Sequence, residues 1–370
     1  MVLVSAIVLL VSASAGDAHQ RLVLEQLEKD KAASDLRLYY AMLDAYGGGD
    51  EAQSIDLLLQ WPRARIENAL SAANRSHDPR APWSRRIHGL AAMLHTDVAF
   101  RLAPGAETKE AFWHIDLASR LLASGTTQNA HDIRPLAERW YQAVARALRD
   151  RSRPYVAELL LRLGRSRLLD SPVVLRESGT LAELFATDYA LIGNLAPYSS
   201  VHGSTVRLKE ISARRARNLD DAARWLRQAV GLDSGNDLLA VHLGRVLALR
   251  QDDAEAVVVL GRVSTSGKDA EAAYLASLFL GGLRERQGQF DAAIDAYRVA
   301  VSRLPSAQAA YVGLSEVLQR IGQRDESRAV LLIPLTEKAG ATEDPLWWYH
   351  IDRPGVAERR LESLRAEVRQ

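Results

Sequence analysis

The feature that most constrains this chain is a recurrence in its C-terminal half. From Gly203 to Ala341 one set of small, aromatic and turn-forming residues returns about every 34 residues. The clearest copy runs from Tyr274 to Ala307 and carries Gly281, Gly288, Phe290, Ala293, Tyr297, Ala300 and Pro305. Gly281 and Ala293 are small where two helices of a pair would cross closely, since a larger side chain would push the backbones apart. Phe290, Tyr297 and Ala300 make an apolar stripe on the second helix. Gly288 permits a tight turn between the helices, and Pro305 ends the second by removing a backbone donor.

The same frame is filled elsewhere. Upstream it holds Leu243, Gly244, Leu247, Ala256 and Leu260, and before them Ala222, Leu226 and Ala229 on a helix ending near Leu232. Downstream it holds Leu314, Ser315, Gly322, Ser327 and Leu331, and a small insertion at Ser264 to Asp269 is the one break in the period. This pattern resembles the tetratricopeptide repeat (TPR) family over four consecutive units, with Ser277 where the family has an early aromatic and no closing proline in the units ending at Asn236 and Ala341.

The resemblance implies an all-α fold, an α-solenoid of helix-turn-helix repeats whose usual work is to hold another protein. In the family frame the inward positions of first helices include Arg207, Arg214, Arg245, Arg286, Glu316 and Arg320. A row of planar guanidinium forks suits the carboxylates of an acidic peptide or an exposed C-terminus. The plain alternative is the solvated face of amphipathic helices. One TPR subset clamps a terminal carboxylate with Asn and Lys, and Ile211 stands here where that Asn would be.

With 48% hydrophobic but only 6% aromatic residues, the core must be built from Ala, Leu and Val, the composition of packed helices. A net charge of +1 supplies no field that would steer the chain to nucleic acid or anionic lipid, and no basic run is interleaved with aromatics. The chain has no cysteine, which removes disulfides, thiolate metal sites and cysteine nucleophiles. Met1 to Ala15 is an uncharged apolar run with Ala13 and Ala15 in cleavage-site spacing, and it reads as a secretory signal. It is shorter than the roughly 20 residues that span a bilayer, so the expectation is an exported protein of the bacterial periplasm or cell surface, with no stable membrane insertion after cleavage. A membrane-tethered adaptor with the run uncut is the alternative.

The segmentation expected is a signal at 1–15, an irregular TPR-like helical region at 16–202, four repeats at 203–341 and a C-terminal cap at 342–370. Within the irregular region, helices are expected over Leu36 to Tyr46, Ile55 to Trp61, Arg85 to Leu102 and Thr108 to Ala123. A degenerate unit is expected at Arg139 to Leu169, a helix at Pro172 to Ile192 and a loop at Gly193 to Ser204. One continuous solenoid is favoured over two domains. The last segment leaves the repeat: Leu346, Trp347, Trp348 and Tyr349 precede a charged helix with Leu361, Leu364 and Val368 at helical spacing, as a cap over an uncovered terminal face would require. The tryptophan pair could alternatively be a ligand platform.

The rival to a binding protein is a metal-binding or hydrolytic enzyme using His88, His95, His114 and His131, with Asp97, Asp116 and Asp132 near in sequence. Residues two apart on a helix face different ways, so His95 with Asp97 and His114 with Asp116 are not ready-made pairs. Any metal site would need ligands converging from separate helices. No His-Glu-x-x-His run, nucleophile elbow, P-loop or dinucleotide fingerprint is present, and no motif implies a cofactor. Asp233 to Asp237 reads as a turn at a repeat junction. The expectation is a non-catalytic protein- or peptide-binding scaffold.

Overall fold

The computed structural model describes residues 31, 34–76, 84–102, 108–128, 133–188, 204–336, 344–350 and 355–370. The expected signal, His131, Asp132 and the expected Gly193 to Ser204 loop lie outside them, except Ser204 itself, which begins a helix. All regular structure among the described residues is helical. The chain divides into two compact units, one of residues 1–137 with 362–370 and one of residues 138–361. The sequence favours one continuous solenoid in which an irregular region gives way to regular repeats at 202/203.

The first unit holds α1 (34–47), α2 (Glu51–Leu59), α3 (Arg63–Ser76), α4 (Ser84–Leu102) and α5 (Thr108–Gln128). The helices expected over Arg85–Leu102 and Thr108–Ala123 are α4 and α5, packed along one another. Pro62 restarts the chain as α3, its carbonyl accepting from the Arg65 and Ile66 amides. Tyr39, Tyr46, Leu90, Met93, Leu94 and Ile115 are among the fully buried side chains.

The second unit is a run of antiparallel neighbours: α6 (Arg134–Asp150), α7 (Pro154–Arg167), α8 (Pro172–Thr187), α9 (Ser204–Leu232), α10 (Asp237–Arg250), α11 (Asp253–Ser266), α12 (Ala270–Arg286), α13 (Phe290–Arg303), α14 (Ala309–Arg320) and α15 (Arg324–Thr336). A 3-10 turn (Pro345–Trp348) and α16 (Val356–Arg369) follow, and α6 and α16 contain residues of both units. The degenerate unit expected at Arg139–Leu169 is the α6–α7 pair. Local chemistry sets the starts: Ser171 caps α8 ahead of Pro172, Asn236 caps α10, and Asp269 caps α12.

Three pairs, α10–α11, α12–α13 and α14–α15, form a TPR-like α-solenoid. Their turns carry left-handed residues at Gln251 (φ 69), Gly288 (φ 72) and Gly322 (φ 85). At the crossing of α12 and α13 a Cβ on Gly281 would lie 2.6 Å from the Tyr297 ring, and one on Gly313 of α14 would lie 2.7 Å from the same ring. Tyr297 thus fills the space two absent side chains leave. One unit later, Ser315 and Ser327 occupy the positions of Gly281 and Ala293 and join through their hydroxyls at 2.8 Å. Ser277, standing where the family has an aromatic, hydrogen-bonds Ser264 of the preceding helix at 2.7 Å. The Ser264 to Asp269 insertion is held by Asp237, whose carboxylate accepts from the Lys268 and Asp269 amides.

The first of the four expected repeats is not a helix pair. Ser204–Leu232 is one unbroken 29-residue helix. Thirty-four residues before Gln251 stands Arg217, in helical conformation, so the glycine or left-handed residue a turn needs is missing. The C-terminal segment also departs from expectation. Asp344 to His350 runs against the first helices of the pairs, while the last helix leaves Leu331, Leu332 and Ile333 exposed at 38, 56 and 39%. The physical reason is Asp344, whose partners are described below.

Replacing Gly281 with Ala should crowd Tyr297 and cost about 1–3 kcal/mol. Gly261 on α11 has open space at its Cβ, so Gly261→Ala should instead stabilise by up to about 1 kcal/mol. Thermal melts of the two variants check this, and shifts of the same sign would contradict the crossing geometry.

Candidate functional site

The centre of the second unit is a carboxylate with no access to water. Glu183 on α8 is 0% exposed. It accepts from Arg245 Nε at 3.0 Å, His242 Nδ1 at 3.3 Å and the Tyr349 hydroxyl at 3.3 Å, while His350 Nε2 stands 3.9 Å away. Burial works to raise this carboxyl, but the His242 hydrogen bond and the surrounding positive charge hold it below the ordinary carboxylate value. Six residues earlier on the same helix Glu177, also buried, is gripped by Arg146 at 2.7 and 2.9 Å and by Arg176 at 3.1 Å. Burial opposes its ionisation, and the charges of Arg146 and Arg176 outweigh burial.

The C-terminal segment is tied down at both ends, and at its second end to this centre. The buried Asp344 carboxylate accepts from the Tyr274 hydroxyl at 2.9 and 3.0 Å, the Ala309 amide at 2.8 Å and the Leu346 amide at 2.9 Å. Gln308, the residue before α14, makes no capping bond of its own, so Asp344 supplies that helix with its anionic cap from 35 residues away. At the other end the Tyr349 ring lies 4.4 Å from His242 and 5.1 Å from Phe279, with the Arg245 guanidinium 5.2 Å from its centre. Between these anchors Trp347 is 57% exposed, so the tryptophan pair is not packed as a unit. Trp348 lines a cavity of about 440 Å³ with Arg146, Arg149, Arg176, His242 and His350.

The sequence-predicted residues do not form one row. The side chain of Arg207 lies outside the described residues. Arg245 faces inward but is half-buried on Glu183 and the Phe279 and Tyr349 rings, which makes it a structural partner. Arg286 donates to the Ala248 carbonyl at 3.0 Å and meets Asp253 at 3.4 Å. Arg320 pairs with Glu316 at 3.2 Å and Glu285 at 3.3 Å. Arg214 lies apart, in a groove between α7, α8 and α9. Sequence reasoning missed Glu183, Glu177 and Asp344. A Glu inside the apolar run Leu181-Ala-Glu-Leu-Phe was the one signal for the first.

In the first unit the histidines do converge across helices. His95 Nδ1 of α4 and His114 Nδ1 of α5 are 2.7 Å apart, and His95 Nε2 meets the Tyr39 hydroxyl at 3.1 Å. Asp97 turns away from His95, as the spacing predicts, and binds the Tyr46 hydroxyl at 2.5 Å and Arg365 in a bidentate pair. Among the described residues no three His, Asp or Glu side chains gather as a metal-ligand set. Each ring nitrogen of His95 is used in a hydrogen bond, which is the arrangement of a satisfied buried histidine.

No family model and no curated protein matches this chain. Two solved structures with related helical arrangement are MamA MSR-1, 14% identical over 54% of this chain and 94% of that one with a TM-score of 0.36, and MamA AMB-1, 15% identical over 52% and 97% with a TM-score of 0.33. Likeness of that degree carries no argument about function. The TPR-like fold rests on the helix pairs themselves.

Burial holds His95 well below its usual value, His114 down to about 4 and, in the second unit, His350 down to about 4. A histidine that stays neutral when folded takes its proton near pH 6.5 once unfolded, so the unfolded chain binds more protons between those values. Stability is therefore full above about pH 6.5 and falls as pH drops toward 4, by about 3 kcal/mol at most for His114. Melting temperatures should hold level from pH 7.5 to about 6.5 and decline from there to pH 4.5, and a flat profile below pH 6.5 would contradict the assignment of neutral histidines.

Proposed function

We propose that the protein is a non-catalytic scaffold that holds an acidic, aromatic-bearing segment of a partner protein on the first-helix face of its TPR-like array. The observation that carries this reading is the placement of its own residues Asp344 to His350. They lie where a guest peptide would, across α12 and α14 at one end and α8, α10 and α12 at the other. The groove captures them through an uncapped helix N-terminus and a tyrosine hydroxyl that receive a carboxylate, and through an Arg, His and Phe surface that receives a ring. These groups recognise chemistry, not connectivity, and serve a segment in trans equally well. The cis segment holds the site against ligands of lesser fit.

An exported, periplasmic or cell-surface location in a bacterium is part of the proposal. It is supported by the apolar run from Val2 to Val11 and by Ala13 and Ala15. Among the described residues no helix is long and apolar enough to cross a membrane.

Asp344→Ala combined with Tyr349→Ala releases both anchors while leaving Glu183 its Arg245 and His242 partners. A labelled peptide of sequence Asp-Pro-Leu-Trp-Trp-Tyr-His should then bind the double variant at least about tenfold more tightly than the wild type by fluorescence anisotropy. A helical, cooperatively melting double variant that binds no more peptide than the wild type would sink the proposal.

A further inference from the structure

The groove that contains Arg214 is a separate surface. Its volume is about 330 Å³, and its walls come from α7, α8 and α9. Tyr155 and Phe185 stack with ring centres 5.2 Å apart along one side, and Trp225 stands on the other under Arg165 at 4.7 Å and Arg224 at 4.3 Å. The helix that took the place of a repeat unit builds one wall. Because Arg217 continues α9 where a turn was expected, Arg214, Arg217, Asp221 and Trp225 fall at helical spacing along one face.

Charge in this groove is unbalanced. Arg162, Arg165, Arg214 and Arg217 line it against Glu158 and Asp221. Glu158 is taken by Arg162, and Asp221 is paired with Arg224 at the margin. Among the described residues Arg165 hydrogen-bonds the Ser178 hydroxyl, at 2.7 Å, and lies over the Trp225 face. Arg214 and Arg217 make no hydrogen bond or ion pair with any described residue. Burial, with Arg162 and Arg224 nearby, lowers the Arg165 pKa despite Glu158 and Asp221, so an incoming anion would relieve a cost already present.

We propose that this α7–α8–α9 groove is a second docking surface, which takes an acidic partner segment with an apolar or aromatic side chain set between carboxylates. Guanidinium forks of Arg214, Arg217 and Arg165 receive the carboxylates, and the slot between Tyr155, Phe185 and Trp225 receives the side chain. The basic groups are confined to a cavity of a few side chains on a chain of net charge +1, whereas a nucleic acid needs a long basic stripe. This surface is distinct from the one that holds Asp344 to His350, and neither proposal depends on the other.

The test uses the full chain and three labelled probes: the hexapeptide Glu-Glu-Leu-Phe-Glu-Glu, its counterpart Lys-Lys-Leu-Phe-Lys-Lys, and oligouridine RNA. The acidic peptide should bind, weaken with rising salt, and lose about tenfold or more in affinity in Arg214→Glu/Arg217→Glu. Trp225→Ala should weaken it without changing the charge, and Arg262→Glu on the exposed face of α11 should not. Circular dichroism confirms that each variant remains helical. The proposal is overturned if the acidic peptide fails to bind the wild type, if the double reversal leaves its affinity unchanged, or if the basic peptide or the RNA binds as well as the acidic one.

Discussion

The second unit depends on the ionised carboxylate of Glu183 being satisfied where water cannot reach it. A buried charge is tolerated only when paired and hydrogen-bonded, and removing a single partner typically costs about 3–5 kcal/mol. Here three partners come from two places: His242 and Arg245 on α10, and Tyr349 on the C-terminal segment. Because α10 opens the regular array, its register against α8 is fixed by the same atoms that fix the segment. Arg245 serves twice, as the countercharge to Glu183 and as the cation against the Phe279 and Tyr349 rings.

From that constraint the placement of the remaining segment follows. With Tyr349 held at one end, Asp344 reaches the start of α14 and supplies the cap that Gln308 does not. Tyr274, at the head of the strongest repeat, donates to the same carboxylate. The first helices of the array are therefore met by the protein's own chain. The functional reading rests on that chemistry: a hydroxyl and a free helix amide for a carboxylate, and a ring-lined cationic pocket for an aromatic side chain.

How much of this was legible in the sequence depended on whether a residue acts through local rules or through distant partners. Gly288, Gly322, Gly281 and Ala293 act within one helix pair, so their spacing revealed the pairs and the crossings. The apolar marks Ala222, Leu226 and Ala229 recur, but a repeat also needs its turn, and Arg217 stays helical where its counterpart Gln251 turns left-handed. Whether the inward arginines are paired is a matter beyond the repeat frame. Spacing assigns Arg245 to a helix face, but whether its guanidinium is free depends on a carboxylate as far off as Glu183, 62 positions away. Asp344 looked like the start of a cap for the array's end, and its true partners, Tyr274 and Ala309, are 70 and 35 positions distant. His95 and His114, 19 apart, meet because α4 and α5 lie antiparallel, which no helical-wheel argument on either helix alone could show.

The most direct measurement of the central claim is hydrogen exchange across Asp344 to His350, in the wild type and in Glu183→Gln. If the ionised Glu183 holds the segment in place, the amides of Ala309, Leu346, Trp347 and Tyr349 exchange slowly in the wild type and much faster in the variant, while α12 and α13 stay protected in both. Fast exchange of these amides in the wild type, or protection undiminished in Glu183→Gln, would contradict it.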